Sequence, residues 1–213
     1  MPLFDEKKKK ELGDIFKELE NEITIVYFTQ EFECNTCKDT KSLLKEIAGL
    51  SDKINLDIYD FQKDSEKTKE YGIDKIPAIA ILDSKNFDPG IRFYGIPAGY
   101  EINSFIKNLL EVSGKREALP ENIKKRIDSI KKDIHIQVFV TLVCPYCPSA
   151  VMTAHRLALE SDKIKADMVE NSTFTHLALK YSVTGVPKII INEKHDLVGA
   201  QPIDKFLDVI EKI

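Results

Sequence analysis

The chain carries the same pattern twice. Ser51-Asp52-Lys53-Ile54 returns as Ser161-Asp162-Lys163-Ile164, an offset of 110 residues. The same offset carries Cys34 to Cys144, Cys37 to Cys147, Tyr71 to Tyr181 and Pro77 to Pro187, and it maps Ile79 and Ile81 onto Ile189 and Ile191 without a gap. A match of that length does not arise by chance, so the chain consists of two related units. Its 213 residues accommodate two small domains. The expected division is 1–115 and 116–213, joined at the polar stretch Ser113-Gly114-Lys115-Arg116-Glu117.

Each unit has the same order of elements. Leu12, Ile15, Phe16 and Leu19, and later Ile123, Ile127 and Ile130, fall at helical spacing. Apolar strands follow at Ile23 to Phe28 and Ile134 to Val140, each leading into a cysteine pair and then a helix. The first of these helices is expected to stop at Gly49, as a C-terminal glycine. Further strands are read around Asn55 to Tyr59 and Ile164 to Val169, with helices before Gly72 and around Phe174 to Tyr181. Pro77 and Pro187 open apolar strands, a turn at Asp88-Pro89-Gly90 leads to one more strand in the first unit, and amphipathic helices containing Phe105 and Phe206 close the two units. Strand–helix–strand alternation implies a parallel pair, and the late strand pair implies an antiparallel hairpin.

All four cysteines lie in two C-x-x-C pairs, Cys34/Cys37 and Cys144/Cys147. Each first cysteine ends a strand where a helix begins. The free backbone N–H groups there favour negative charge, which lowers a thiol's pKa and makes it nucleophilic near neutral pH. The second cysteine lies one turn on and can release a mixed disulfide formed by the first. The loop closed is too small for much stabilisation, so a structural staple is a poor reading. A shared zinc is disfavoured as well, because 107 residues separate Cys37 from Cys144 and each pair is complete within its own repeat. The histidines at 135, 155, 176 and 195 have no ligand spacing, so no metal and no organic cofactor are expected.

Strand, C-x-x-C, helix, then Ile76-Pro77 or Val186-Pro187 before a strand resembles the thioredoxin fold, twice over. In both copies 43 residues lead from the first cysteine to the proline. Cys144-Pro145-Tyr146-Cys147 with Thr184-Gly185-Val186-Pro187 resembles glutaredoxin. The whole chain resembles the tandem protein disulfide oxidoreductases of thermophiles, which are similar in design to protein disulfide isomerase. The fold class so implied is α/β, with two tandem thioredoxin-like units, each a mixed sheet of about four strands flanked by helices. The resemblance further implies that Pro77 and Pro187 are cis and that substrate backbone pairs with the loops containing Ile76 and Val186. Cys34 and Cys144 are then the nucleophiles, and Cys37 and Cys147 resolve. Thioredoxins carry a buried acid six residues before the first cysteine; here those positions are Phe28 and Val138. The stretch Val198-Gly199-Ala200-Gln201-Pro202 lacks the paired glycines and acid with which glutaredoxins hold glutathione.

The function expected is a thiol–disulfide oxidoreductase that reduces, forms or isomerises disulfides in protein substrates, with a thioredoxin reductase-like flavoprotein as electron source. The alternatives are a dedicated electron carrier to a peroxiredoxin and a non-catalytic peptide-binding chaperone. A formal charge of −4 argues against nucleic acid, and no apolar stretch is long enough for a bilayer. The N-terminus lacks the apolar core of a signal peptide, so a cytoplasmic location is expected. Charged residues make up 31% of the chain and Lys outnumbers Arg, a balance similar to hyperthermophile proteins. The two sites are expected to differ. Glu31 and Glu33 precede Cys34, whereas Cys144 has no local acid and should be the more acidic thiol.

Overall fold

The computed structural model describes residues 3–213. The chain divides into two compact units. The first runs to Asp88 and takes in Tyr94–Ile96 and Leu109–Arg116; the second comprises Pro89–Phe93, Pro97–Asn108 and Glu117–Ile213.

The first unit begins with α1 (Glu6–Phe16), capped by the Asp5 carboxylate, which accepts from the Lys8 amide. The central strand β1 (Ile23–Thr29) is apolar on both faces and nearly all buried, as befits a strand covered by helices on each side. It pairs parallel with β2 (Ile54–Asp60) and antiparallel with β3 (Ala78–Leu82), placing Ile25 beside both Leu56 and Ile81. Between β1 and β2 runs α2 (Cys37–Ala48), whose apolar positions Leu43, Leu44 and Ile47 are buried. The helix ends at the expected glycine, though not by a left-handed cap. Gly49 has φ −68° and closes the helix with its amide on the Lys45 carbonyl. The short α3 (Ser65–Glu70) follows β2.

The second unit takes its first pieces from upstream sequence. Strand β4 (Ile91–Tyr94) lies beside β6 (Ile164–Glu170), with the Ala166 amide donating to the Gly90 carbonyl. A 3-10 turn (Gly99–Glu101) and α4 (Ile102–Val112) come next. Phe93 packs edge-on against Phe105 at 5.2 Å and against the buried His155 at 4.8 Å, which accounts for the compactness of this segment with the rest of the unit. Then come α5 (Glu121–Asp128), which ends before Ile130, and the central β5 (Ile134–Val140). Strand β5 repeats the pairing of β1, parallel to β6 and antiparallel to β7 (Lys188–Ile191). Beyond it, β7 forms the expected antiparallel pair with β8 (His195–Val198). Helix α6 (Cys147–Glu160) connects β5 to β6, α7 (Thr175–Lys180) follows β6, and α8 (Ile203–Ile210) closes the unit with Phe206, Leu207 and Ile210 buried. The sheet-forming positions of both repeats thus follow the sequence reading closely. No helix among the described residues is long and apolar enough to cross a membrane.

Arg126 on α5 binds Glu211 through two nitrogens and reaches Asp204 and Asp208, fastening α5 to α8. A single partly shielded cation serving three carboxylates is worth more than an isolated surface pair, about 1–2 kcal/mol. Arg126→Gln should lower stability by that amount in denaturant titration, and the loss should shrink at high salt.

Candidate active sites

Both cysteine pairs close as disulfides within their own unit, Cys34–Cys37 and Cys144–Cys147, with Cα separations of 5.5 Å each. The second cysteine of each pair is the first residue of a helix, α2 or α6, and the first cysteine sits in the loop that leaves the central strand. The Ile76-Pro77 and Val186-Pro187 bonds are both cis. Pro77 precedes Ala78, which pairs with Phe28 near the end of β1; Pro187 precedes Lys188, which pairs with Phe139 near the end of β5. Sheet register therefore brings each proline to the end of the central strand from which its cysteine loop departs.

At the second site the contacts are explicit. The Cys147 amide donates to Cys144 Sγ at 3.1 Å, and the Val186 carbonyl oxygen lies 3.9 Å from the same sulfur. The helix start is therefore aimed at the first cysteine, as the pKa argument requires. Cys144 is only 7% exposed, while its neighbours Val143 and Tyr146 stand 81% and 70% exposed. The sulfur thus lies at the base of an apolar rim. This burial is greater than the sequence reading allowed for, and desolvation opposes the helix start in setting the thiol's acidity.

At the first site Cys34 is half-buried and Cys37 is buried. Among the described residues no amide hydrogen bond to Cys34 matches that at Cys144. Instead Tyr27, fully buried in β1, donates its hydroxyl to the Cys37 carbonyl at 2.8 Å, and burial pushes its pKa up to about 12. The repeat-related residue is Gln137, so this tether belongs to the first site alone. A cavity of about 470 Å³ is lined by both cysteines, with Thr29, Glu31, Lys38, Lys41, Asp60 and Lys63 among its other walls. Of the two acids before Cys34, Glu31 thus shares a cavity with three lysines.

The residue that sequence reasoning missed is Glu101. No acid stands at Phe28 or Val138, but Glu101, completely buried, enters the second unit from the 3-10 turn that packs on α6. Burial raises its pKa to about 7, against the pull of a 2.5 Å hydrogen bond donated by Ser104. Its Oε1 has no hydrogen-bond partner. The turn is docked by its backbone onto the residues before Cys144: the Tyr100 amide donates to the Leu142 carbonyl at 2.9 Å. Gly99 has φ +59°, and a Cβ there would lie 2.2 Å from that carbonyl oxygen, so only glycine fits. The one available signal was an acid following Gly99 in a sequence assigned to the other repeat, a relation no local pattern reveals.

A Glu pKa raised on folding stabilises the fold below the unfolded value of 4.5, and that contribution is lost as pH rises through about 7. Glu101→Gln should therefore match the wild type near pH 4 and exceed its stability by about 3 kcal/mol at pH 8. Chemical denaturation of both proteins across that range measures the widening gap; a constant difference would mean that Glu101 does not titrate there.

The thioredoxin domain family model matches residues 134–212. In structure the chain is similar to a protein disulfide oxidoreductase from Aeropyrum pernix, with 30% identity, a TM-score of 0.90, and coverage of 97% of this chain and 92% of that one. It is equally similar to the alkyl hydroperoxide reductase AhpF of Enterococcus faecalis, with 29% identity, a TM-score of 0.90, and coverage of 97% and 99%. In sequence it is 22% identical over 205 residues to an NADH dehydrogenase of Bacillus subtilis, matching 96% of this chain and 37% of that protein. The chain spans about a third of the length of the curated relatives it matches.

Proposed function

The chain belongs to the family of tandem thioredoxin-fold protein disulfide oxidoreductases, and on that footing we propose that it exchanges dithiols for disulfides in polypeptide substrates at two sites. The observation that carries this reading is the position of each disulfide, at a helix start beside the end of the central strand and an X–cis-Pro loop. The exposed Val143 and Tyr146 suit an unfolded segment with apolar side chains. Ile76 and Val186 present the backbone to which such a segment would pair.

In the reductive direction the Cys144 thiolate attacks one sulfur of the substrate disulfide and the other sulfur leaves as a thiolate. Cys147 then loses its proton and attacks Cys144 Sγ, which frees the second substrate thiol and closes the Cys144–Cys147 bridge. Glu101 is the proposed acceptor of the Cys147 proton. Its pKa near 7 suits both taking and returning a proton at neutral pH, and its turn packs on the helix that Cys147 opens. Cys34 and Cys37 repeat the exchange without such a buried acid.

The likeness to AhpF supports a second reading, in which the dithiols pass electrons from a flavoprotein to a peroxide-reducing partner. A flavoprotein reductase is the proposed electron source in either case, and the cytoplasm the proposed compartment. Insulin reduction separates the two readings, since a carrier dedicated to one partner would leave insulin intact.

The hydrogen bond from the Cys147 amide to Cys144 Sγ and the absence of an acid in its flanking sequence favour the second site. Cys144→Ser should slow insulin reduction more than Cys34→Ser, and iodoacetamide titration of the single-site variants should give Cys144 the lower pKa. A lower pKa at Cys34 would mean that Lys38 and Lys41 outweigh the helix start.

A further inference from the structure

The first site opens on a charged cavity, whereas the second has an apolar rim, although the two share one frame. The cavity beside Cys34 and Cys37, at about 470 Å³, falls within the range of roughly 300–1,000 Å³ that small-molecule sites occupy. Its charges are of two kinds. Asp60 and Asp64 are engaged by backbone: Asp60 accepts from the Gln62 and Lys63 amides, and Asp64 accepts from the Asp60 amide at 2.7 Å. Lys63 leans on Asp60 at 3.8 Å. Lys38 and Lys41, one turn apart on α2, and Glu31 from the loop before Cys34 all line the cavity and make no side-chain ion pair among the described residues. The free groups are thus two ammonium ions and one carboxylate, in a lining whose charges sum to zero. A polyanion would meet the three acids, and an uncharged polypeptide segment would leave the lysines unused.

We propose that the first site takes low-molecular-weight disulfides ending in α-amino acid groups, with cystine as the simplest member. The two carboxylates of the ligand face Lys38 and Lys41, one of its two ammonium groups faces Glu31, and its disulfide lies against Cys34. The Cys34 thiolate attacks one cystine sulfur and releases one cysteine thiolate. Cys37 then attacks Cys34 Sγ, displaces the second cysteine and closes the bridge. Two electrons pass from the dithiol to cystine, and a dithiol or flavoprotein donor must restore them. This deepens the proposed exchange activity and rests on it for the chemistry, but not for the choice of substrate.

The test uses the full chain with Cys144→Ser and Cys147→Ser, reduced, freed of reductant and mixed with L-cystine or with uncharged bis(2-hydroxyethyl) disulfide. Dithiothreitol reacting with the same two compounds supplies the intrinsic ratio of rates. The protein should prefer cystine by about fivefold beyond that ratio, the size expected of two partly solvated ion pairs. Lys38→Gln with Lys41→Gln should bring the ratio of the two rates down to that of dithiothreitol, a readout that a common effect on the Cys34 thiolate does not move. A preference equal to that of dithiothreitol would overturn the proposal. So would an equal fall in both rates on replacing the lysines, since they would then act only on the Cys34 thiolate. Failure of the exchange reading itself is distinguishable, because the wild type would then reduce neither insulin nor either small disulfide.

Discussion

In each unit a two-sulfur bridge spans the junction between the central strand and the helix it feeds, and the rest of the unit keeps that junction still. Strands β1 and β5 are buried on both faces and paired on both edges, so the chain leaves them at a fixed height and direction. In both units the helix that follows starts at the second cysteine, and in the second unit its first amide donates to the first cysteine's sulfur. The antiparallel strand on the other edge supplies a cis-proline loop at the same level. A dithiol held in this way exchanges with a third sulfur without unfolding its surroundings, because the bridge lies outside the hydrogen-bonded body of the helix.

The two copies apply this frame to different ends. Cys144 is nearly buried beside the exposed Val143 and Tyr146, and the turn that carries the buried Glu101 packs on the helix that Cys147 opens. Cys34 is more open, its partner's carbonyl is tied to Tyr27, and its surroundings are charged. A repeated fold with unlike linings permits two substrate classes to meet one chemistry. The two sites differ in their loops and in residues donated from distant sequence rather than in the shared geometry of the bridges.

Much of this was legible before any coordinates. The offset that carries Cys34 to Cys144 and Pro77 to Pro187 carries real strands and helices with it, because apolar alternation and glycine or proline punctuation are local properties. Burial was harder to read. Val143 and Tyr146 look like ordinary flanking residues until the fold turns them outward and Cys144 inward. Glu31 and Glu33 stand closest to Cys34 in sequence, yet the cavity beside Cys34 takes only Glu31 of the two and adds Lys38 and Lys41 from the helix. Glu101 was hidden for a topological reason. It belongs to the first repeat by sequence and to the second unit by packing, and the backbone contact of Tyr100 with Leu142 docks its turn beside the loop before Cys144. Gly49 was placed rightly for a mistaken reason, since the helix stops there without left-handed geometry.

The central claim is that both bridges are working redox couples rather than staples. The direct measurement is the reduction potential of each pair, read by trapping thiols across a graded redox buffer in variants that retain one pair at a time. The account predicts that each pair titrates as one two-electron couple, with a slope of about 30 mV per decade and a midpoint above about −300 mV. A midpoint below that value at both pairs, or oxidised protein in which Cys34 or Cys37 is linked to Cys144 or Cys147, would contradict it.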